Sequence, residues 1–166
     1  LNTGHCITAY LGNLRGIPTI DKAIADEEIF GIVSAAMKES GDGLIKKYGF
    51  DPEKHAAYIK KIISRFKNPY LQDDVTRVGR EPLRKLSPTD RLIKPMMTAA
   101  GYGLPVDHLV IGAGAALHYD NPNDKQSVEL QEKIGAQGVR AAAAEITGLT
   151  DEGLLDAIVA EYEKLN

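Results

Sequence analysis

LPVDHLVIGAGAALHYDNP, residues 104–122, can be read in two ways, and the choice decides the fold. Its GAGAAL segment at 112–117 superficially matches the glycine-rich turn of a dinucleotide-binding unit. That turn works only between a strand and a helix, and no strand pattern precedes it here. The other reading is a helix of small residues with Gly112 and Gly114 inside it. Each internal glycine costs about 1 kcal/mol relative to alanine, so close packing against another helix is the expected compensation. As a nucleotide fingerprint the segment fails, and the helix is the reading adopted.

The same helical period extends outward on both sides. Residues 3–15 set Ile7, Tyr10, Leu11 and Leu14 on one stripe, and Gly16 ends the run as a C-terminal glycine does. Residues 19–49 carry Ile24, Ile29, Ile32, Val33, Ala36 and Met37 at helical spacing, with Thr19 as the predicted cap. DPEKHAAYIKKIISRF, 51–66, opens with Asp51 as cap and Pro52 at the first helical position. Its apolar stripe is Ala56, Ile59, Ile62, Ile63 and Phe66. Residues 68–95 are less regular, and Pro82, Pro88 and Pro95 are expected to break them into short helices. Segments 124–135, 137–147 and 151–165 complete the pattern, with Thr150 and Asp151 at the start of the last. No alternating strand pattern, repeat or linker interrupts it. The prediction is one all-α domain over 1–166, with seven to nine helices around one core.

With 166 residues, 43% apolar and 26% charged, the chain has the make-up of a globular domain with a substantial core. Its net charge of −3 argues against a surface built for nucleic acid or membrane. The single cysteine, Cys6, excludes an internal disulfide and disfavours a cysteine metal cluster, which fits a cytoplasmic setting. Leu1 is neither an initiating Met nor part of a secretory signal, so the chain is read as a fragment of a longer protein.

Charge is unevenly distributed. Residues 77–94 hold Arg77, Arg80, Arg84, Lys85, Arg91 and Lys94 against Glu81 and Asp90, a local excess of +4 that leaves −7 for the rest. If 77–84 is helical, Arg77, Arg80 and Arg84 share one face, and guanidinium forks there suit a phosphate or carboxylate. The alternative is a solvated face paired with acidic helices. The patch contains no aromatic residue for stacking on bases, which weakens a nucleic-acid reading.

Asn2 and His5 lie three residues apart at the head of the first helix and project from one face. An Asn amide there can polarise a carbonyl oxygen or stabilise an alkoxide, while a His orients a neighbouring hydroxyl. Equally, an Asn is commonly a cap and a His a surface or core residue. His55, His108 and His118 show no metal-ligand spacing, so no metal is expected.

NTGH at 2–5, followed by an apolar helix, resembles the second half of the Lys-x-x-x-x-Asn-x-x-His signature of the polyol-specific long-chain dehydrogenases. RVGREPLRKLSPTDRLIKP, 77–95, resembles that family's substrate-binding segment. The resemblance covers the whole chain as the family's C-terminal all-α domain, a fold related to the C-terminal domain of 6-phosphogluconate dehydrogenase. It implies that Asn2 and His5 hold and polarise the oxygen that changes between alcohol and ketone, and that Arg77 and Lys85 grip substrate hydroxyls. It further implies NAD as cofactor, bound mainly by an N-terminal Rossmann domain absent from this chain. The family's general-base lysine would fall before Leu1. Arg80 and Arg84 have no counterpart in the non-phosphorylated sugar enzymes, and charge alone assigns them to a substrate phosphate.

Two rival readings remain. A hexuronate reductase of the same family would present a carboxylate to the same arginines. A non-catalytic helical module would use 77–94 to dock an acidic partner.

Overall fold

The computed structural model describes residues 2–166, so Leu1, on which the fragment reading rests, lies outside the described residues. Eleven helices follow in order. They are α1 (Asn2–Leu14), α2 (Ile20–Ala25), α3 (Glu27–Tyr48), α4 (Pro52–Phe66), α5 (Val75–Val78) and α6 (Pro82–Lys85), then α7 (Ile93–Gly101), α8 (Asp107–Leu117), α9 (Lys125–Gln137), α10 (Val139–Thr147) and α11 (Glu152–Lys164). No strand forms among the described residues. One isolated antiparallel bridge pairs Thr19 with Asp74.

α1 is the central element. Gly4, Cys6, Ile7, Thr8, Ala9, Tyr10, Leu11 and Gly12 are all buried, because α2, α3, α5 and α8 surround it. Such a helix cannot be amphipathic, and its polar groups are paired internally, as Thr8 Oγ1 does by donating to the Gly4 carbonyl at 2.7 Å. The two internal glycines of α8 are compensated as anticipated. A Cβ at Gly112 would stand 2.7 Å from Ile7 of α1, and one at Gly114 would stand 3.1 Å from the backbone N of Tyr162 in α11. Small residues let α8 approach both neighbours at once.

Aspartate caps set the starts of four helices. Asp51, Asp124 and Asp151 accept first-turn N–H groups of α4, α9 and α11, as side-chain caps do. Three sequence expectations need correction. The stretch 19–49 is two helices, because the Asp26 carboxylate accepts from Glu28 N and Ile29 N and starts α3 afresh. Thr19 makes no cap hydrogen bond. Its backbone is extended and committed to the bridge with Asp74, and its hydroxyl is buried without a partner. Pro95 does not break a helix but sits in the first turn of α7, where its missing N–H has no intrahelical acceptor to lose. With the one-turn helices α5 and α6 included, these boundaries raise the number of helices above the predicted seven to nine.

Candidate active site

The site begins with a helix that cannot continue. In α5, the Val78 carbonyl would normally receive the N–H four residues on, but that residue is Pro82, which has none. A residue preceding proline is also disfavoured in the right-handed helical region, and Glu81 adopts φ 59, ψ 58. The chain therefore turns between α5 and α6, leaving the carbonyls at the end of α5 without helical donors. Side chains supply them. Thr76 O accepts from Tyr119 Oη at 3.3 Å, Arg77 O from Arg80 Nη1 at 2.6 Å, Val78 O from Lys85 Nζ, and Gly79 O from Tyr10 Oη at 3.0 Å. The single face proposed for Arg77, Arg80 and Arg84 consequently does not form.

Lys85 is the unusual member of this set. Its side chain is 1% exposed, and among the described residues no carboxylate lies within ion-pair distance. Burial pushes its pKa down from 10.5 to about 8, and the guanidiniums of Arg91, Arg80 and Arg84 add to the shift. The ammonium lies close enough to His5 and Cys6 to act on the titration of both.

The Thr19–Asp74 bridge brings residue 73 against the first turns of α1, with Ile20 N donating to Asp73 O at 2.9 Å and Val75 N to Pro18 O at 3.0 Å. Asp73 then serves two partners. Its Oδ2 lies 3.5 Å from His5 Nε2, and its Oδ1 pairs with the Arg77 guanidinium. The His5 ring is stacked on Phe66, with centroids 5.2 Å apart and planes 10° from parallel. Burial holds the His5 pKa below its ordinary value. The Asp73 carboxylate opposes that shift, whereas Arg77 and Lys85 reinforce it.

His5, Arg77 and Lys85 therefore gather around the α1–α5 junction, while Asn2 opens α1 on the side of α3 and α7, and the four do not line one cavity. His5 and Asp73 face a cleft of about 190 Å³ with Phe66 and Leu71. Arg77 and Arg80 line an open depression of about 730 Å³ against Asn121 and Asp124. Asn2 lines a third cleft with Thr3, Arg91 and Lys94. Arg84 stands apart. Its guanidinium grips Glu81 Oε2 through Nε at 3.0 Å and Nη2 at 2.8 Å, with Asp90 Oδ2 at 4.0 Å, so its charge is already matched. Arg80 contacts only the Arg77 carbonyl and keeps its charge uncommitted among the described residues.

Sequence reasoning overlooked Asp73, although an acid four residues before Arg77 at the head of a short helix was a usable signal. It also overlooked Glu39. That buried carboxylate accepts from His108 N at 3.0 Å and Leu109 N at 2.9 Å, and meets the His108 ring at 2.8 Å. His108 and His118 are both absorbed into packing, the latter stacked on Tyr162 at 4.0 Å. No group of three or more His, Cys, Asp or Glu among the described residues could hold a metal ion.

The GAGAAL segment does not form a dinucleotide turn. GAGAAL lies within α8, and its glycines face Ile7 and Tyr162 rather than open space, leaving no cradle for a pyrophosphate.

The all-α fold, with Asn2 and His5 at the head of its central helix, is the one that the sequence resemblance to polyol dehydrogenases implied. Comparison with known families agrees: the chain matches the mannitol dehydrogenase C-terminal domain over residues 1–166 and belongs to that family of oxidoreductases.

Proposed function

We propose that the chain is the substrate-binding half of a dehydrogenase interconverting mannitol 1-phosphate and fructose 6-phosphate with NAD(H). The observation that carries the reading is the Asp73 carboxylate, which ties His5 to Arg77 directly beside the buried Lys85. His5 and the 73–85 segment, distant in sequence, thereby meet near the first turns of α1.

Each has a role that follows from its chemistry. The Asn2 amide donates a hydrogen bond to the oxygen at the reacting carbon, an interaction that strengthens as negative charge develops there. The His5 imidazole, steadied by Asp73 and Phe66 in the neighbouring cleft, would orient the same oxygen, which requires its ring to turn toward the cleft of Asn2. Arg77 and Lys85 provide donors to the sugar hydroxyls and fix the chain's register. For Lys85 this requires turning its ammonium away from the Val78 carbonyl. An upstream domain would supply both NAD and the general-base lysine, and this chain alone would show no turnover. The phosphate requires uncommitted cations. Of the two arginines assigned from charge, Arg84 is already matched by Glu81 and Asp90, and Arg80 is uncommitted but lines a depression apart from Asn2.

The test is NADH oxidation by the full-length protein with fructose 6-phosphate, fructose and fructuronate side by side. A preference for fructose 6-phosphate supports the proposal. A preference for fructuronate would point to a hexuronate reductase, in which a carboxylate meets the same cations.

A further inference from the structure

The cleft that contains Asn2 has about 470 Å³ of space, within the usual range for a small-molecule site. Three cations line it: Lys47 from the last turn of α3, Arg91 from the turn before α7, and Lys94 from the first turn of α7. Asp90 is the one acid among them, and its Oδ1 is taken by the Arg91 backbone N and Nε, each at 2.6 Å. Lys47 and Lys94 are exposed and have no carboxylate within 4.0 Å among the described residues. The lining thus carries two ammonium groups without a carboxylate partner, Lys47 lying over the Tyr48 ring at 5.3 Å, and the free end of a guanidinium.

We propose that this cleft seats the phosphate monoester of the substrate, an inference that rests on the sugar-phosphate reading above. Position supports it as much as charge. The Thr3 hydroxyl donates to the Arg91 carbonyl at 2.7 Å, pinning the first turn of α1 to the segment that carries two of the cations. Asn2 and the cations consequently face the same space. In fructose 6-phosphate the phosphorus lies roughly 7–8 Å from the carbonyl carbon, six bonds of about 1.5 Å in extended form. A cleft of this size accommodates both ends, with the carbonyl at Asn2 and the phosphate at Arg91 and Lys94. Arg80 faces the separate depression beside Asn121, and Arg84 is held by Glu81 and Asp90. Neither shares a cavity with Asn2.

The experiment compares full-length wild type with Lys94→Gln, Lys47→Gln and Arg91→Gln. It reads kcat/KM for fructose 6-phosphate relative to fructose, with the KM for NADH followed in parallel. Each substitution is expected to reduce the preference for the phosphorylated substrate about tenfold or more, since a charge-assisted hydrogen bond contributes that much. Arg80→Gln is expected to change it less. Inorganic phosphate should compete with fructose 6-phosphate in wild type and lose that competition in the variants. Because Lys94 is exposed, its variant reads the charge without disturbing the core. An unchanged preference, or a rise in KM for NADH in its place, would overturn the proposal. Should wild type not reduce fructose 6-phosphate at all, the functional reading fails independently. Titration with inorganic phosphate then decides the cleft: saturable binding lost in Lys94→Gln supports an anion seat, and no binding overturns it.

Discussion

The carboxylate of Asp73 and the imidazole of His5 face each other at 3.5 Å, across a junction made by an isolated backbone bridge and not by sequence proximity. Burial keeps the His5 pKa below its ordinary 6.5, and Asp73 limits the shift. In the interval between the two values the unfolded chain binds more protons than the folded one. Stability arising from neutral, buried His5 is therefore complete above 6.5 and is lost as pH falls through the lowered value. Asp73→Asn removes the opposing charge, so its acid-side loss of stability should be steeper than in wild type. His5→Gln should flatten it. Thermal unfolding at a series of pH values from about 5 to 8 would check both, and identical curves for all three proteins would contradict the assignment.

Lys85 gives a second window, of the same sign and at higher pH. A lysine lowered from 10.5 to about 8 holds its proton less tightly when folded, so wild-type stability should rise relative to Lys85→Met as pH increases across that interval. The difference between the two unfolding curves isolates this residue. A difference independent of pH would mean that the ammonium is solvated and not buried.

The close contact between α1 and α8 predicts a local packing defect. Gly112→Ala places a methyl 2.7 Å from the Ile7 side chain, and overpacking of this kind costs about 1–3 kcal/mol. The better helix propensity of alanine offsets up to about 1 kcal/mol of that. A shorter partner, Ile7→Val, should recover part of the loss in the double variant, because the two sites are in contact. Chemical denaturation of the four proteins measures the coupling.

Glu39 is the buried acceptor that starts α8. Glu39→Ala leaves two backbone N–H groups and the His108 ring without their partner, a loss of about 2–3 kcal/mol. Glu39→Gln retains an acceptor oxygen and should lose less. Equal destabilisation by the two variants would show that charge, not hydrogen bonding, is what matters there.

Helix type was legible throughout, and extent where the signals are local, as with the 3.6-residue period and the Asp caps at 51 and 151. So was the packing role of Gly112 and Gly114, which follows from their intrinsic cost in a helix. What could not be read locally was long-range. Thr19 looked like a cap until Asp74 claimed its backbone, and the break at Asp26 was concealed by an apolar stripe continuing across it. Arg77, Arg80 and Arg84 have helical spacing, yet Pro82 and the left-handed Glu81 turn the chain between them. The pairing of Asp73 with His5 depends on a bridge between segments some fifty residues apart, and no spacing rule reveals it. Asn2 and His5 were a weak signal from their three-residue spacing, and a family resemblance gave them roles; the structure adds the Asp73 and Phe66 contacts of His5.

The central claim is that this chain builds the substrate site of a sugar-phosphate dehydrogenase around Asn2 and His5. The most direct measurement is NADH oxidation by the full-length protein with fructose 6-phosphate, beside Asn2→Ala and His5→Ala variants. The account predicts rapid turnover in wild type with fructose 6-phosphate preferred over fructose and fructuronate, and a loss of about 100–1000-fold in kcat for Asn2→Ala. Undiminished turnover in Asn2→Ala, or none in wild type with any of the three substrates, would contradict it.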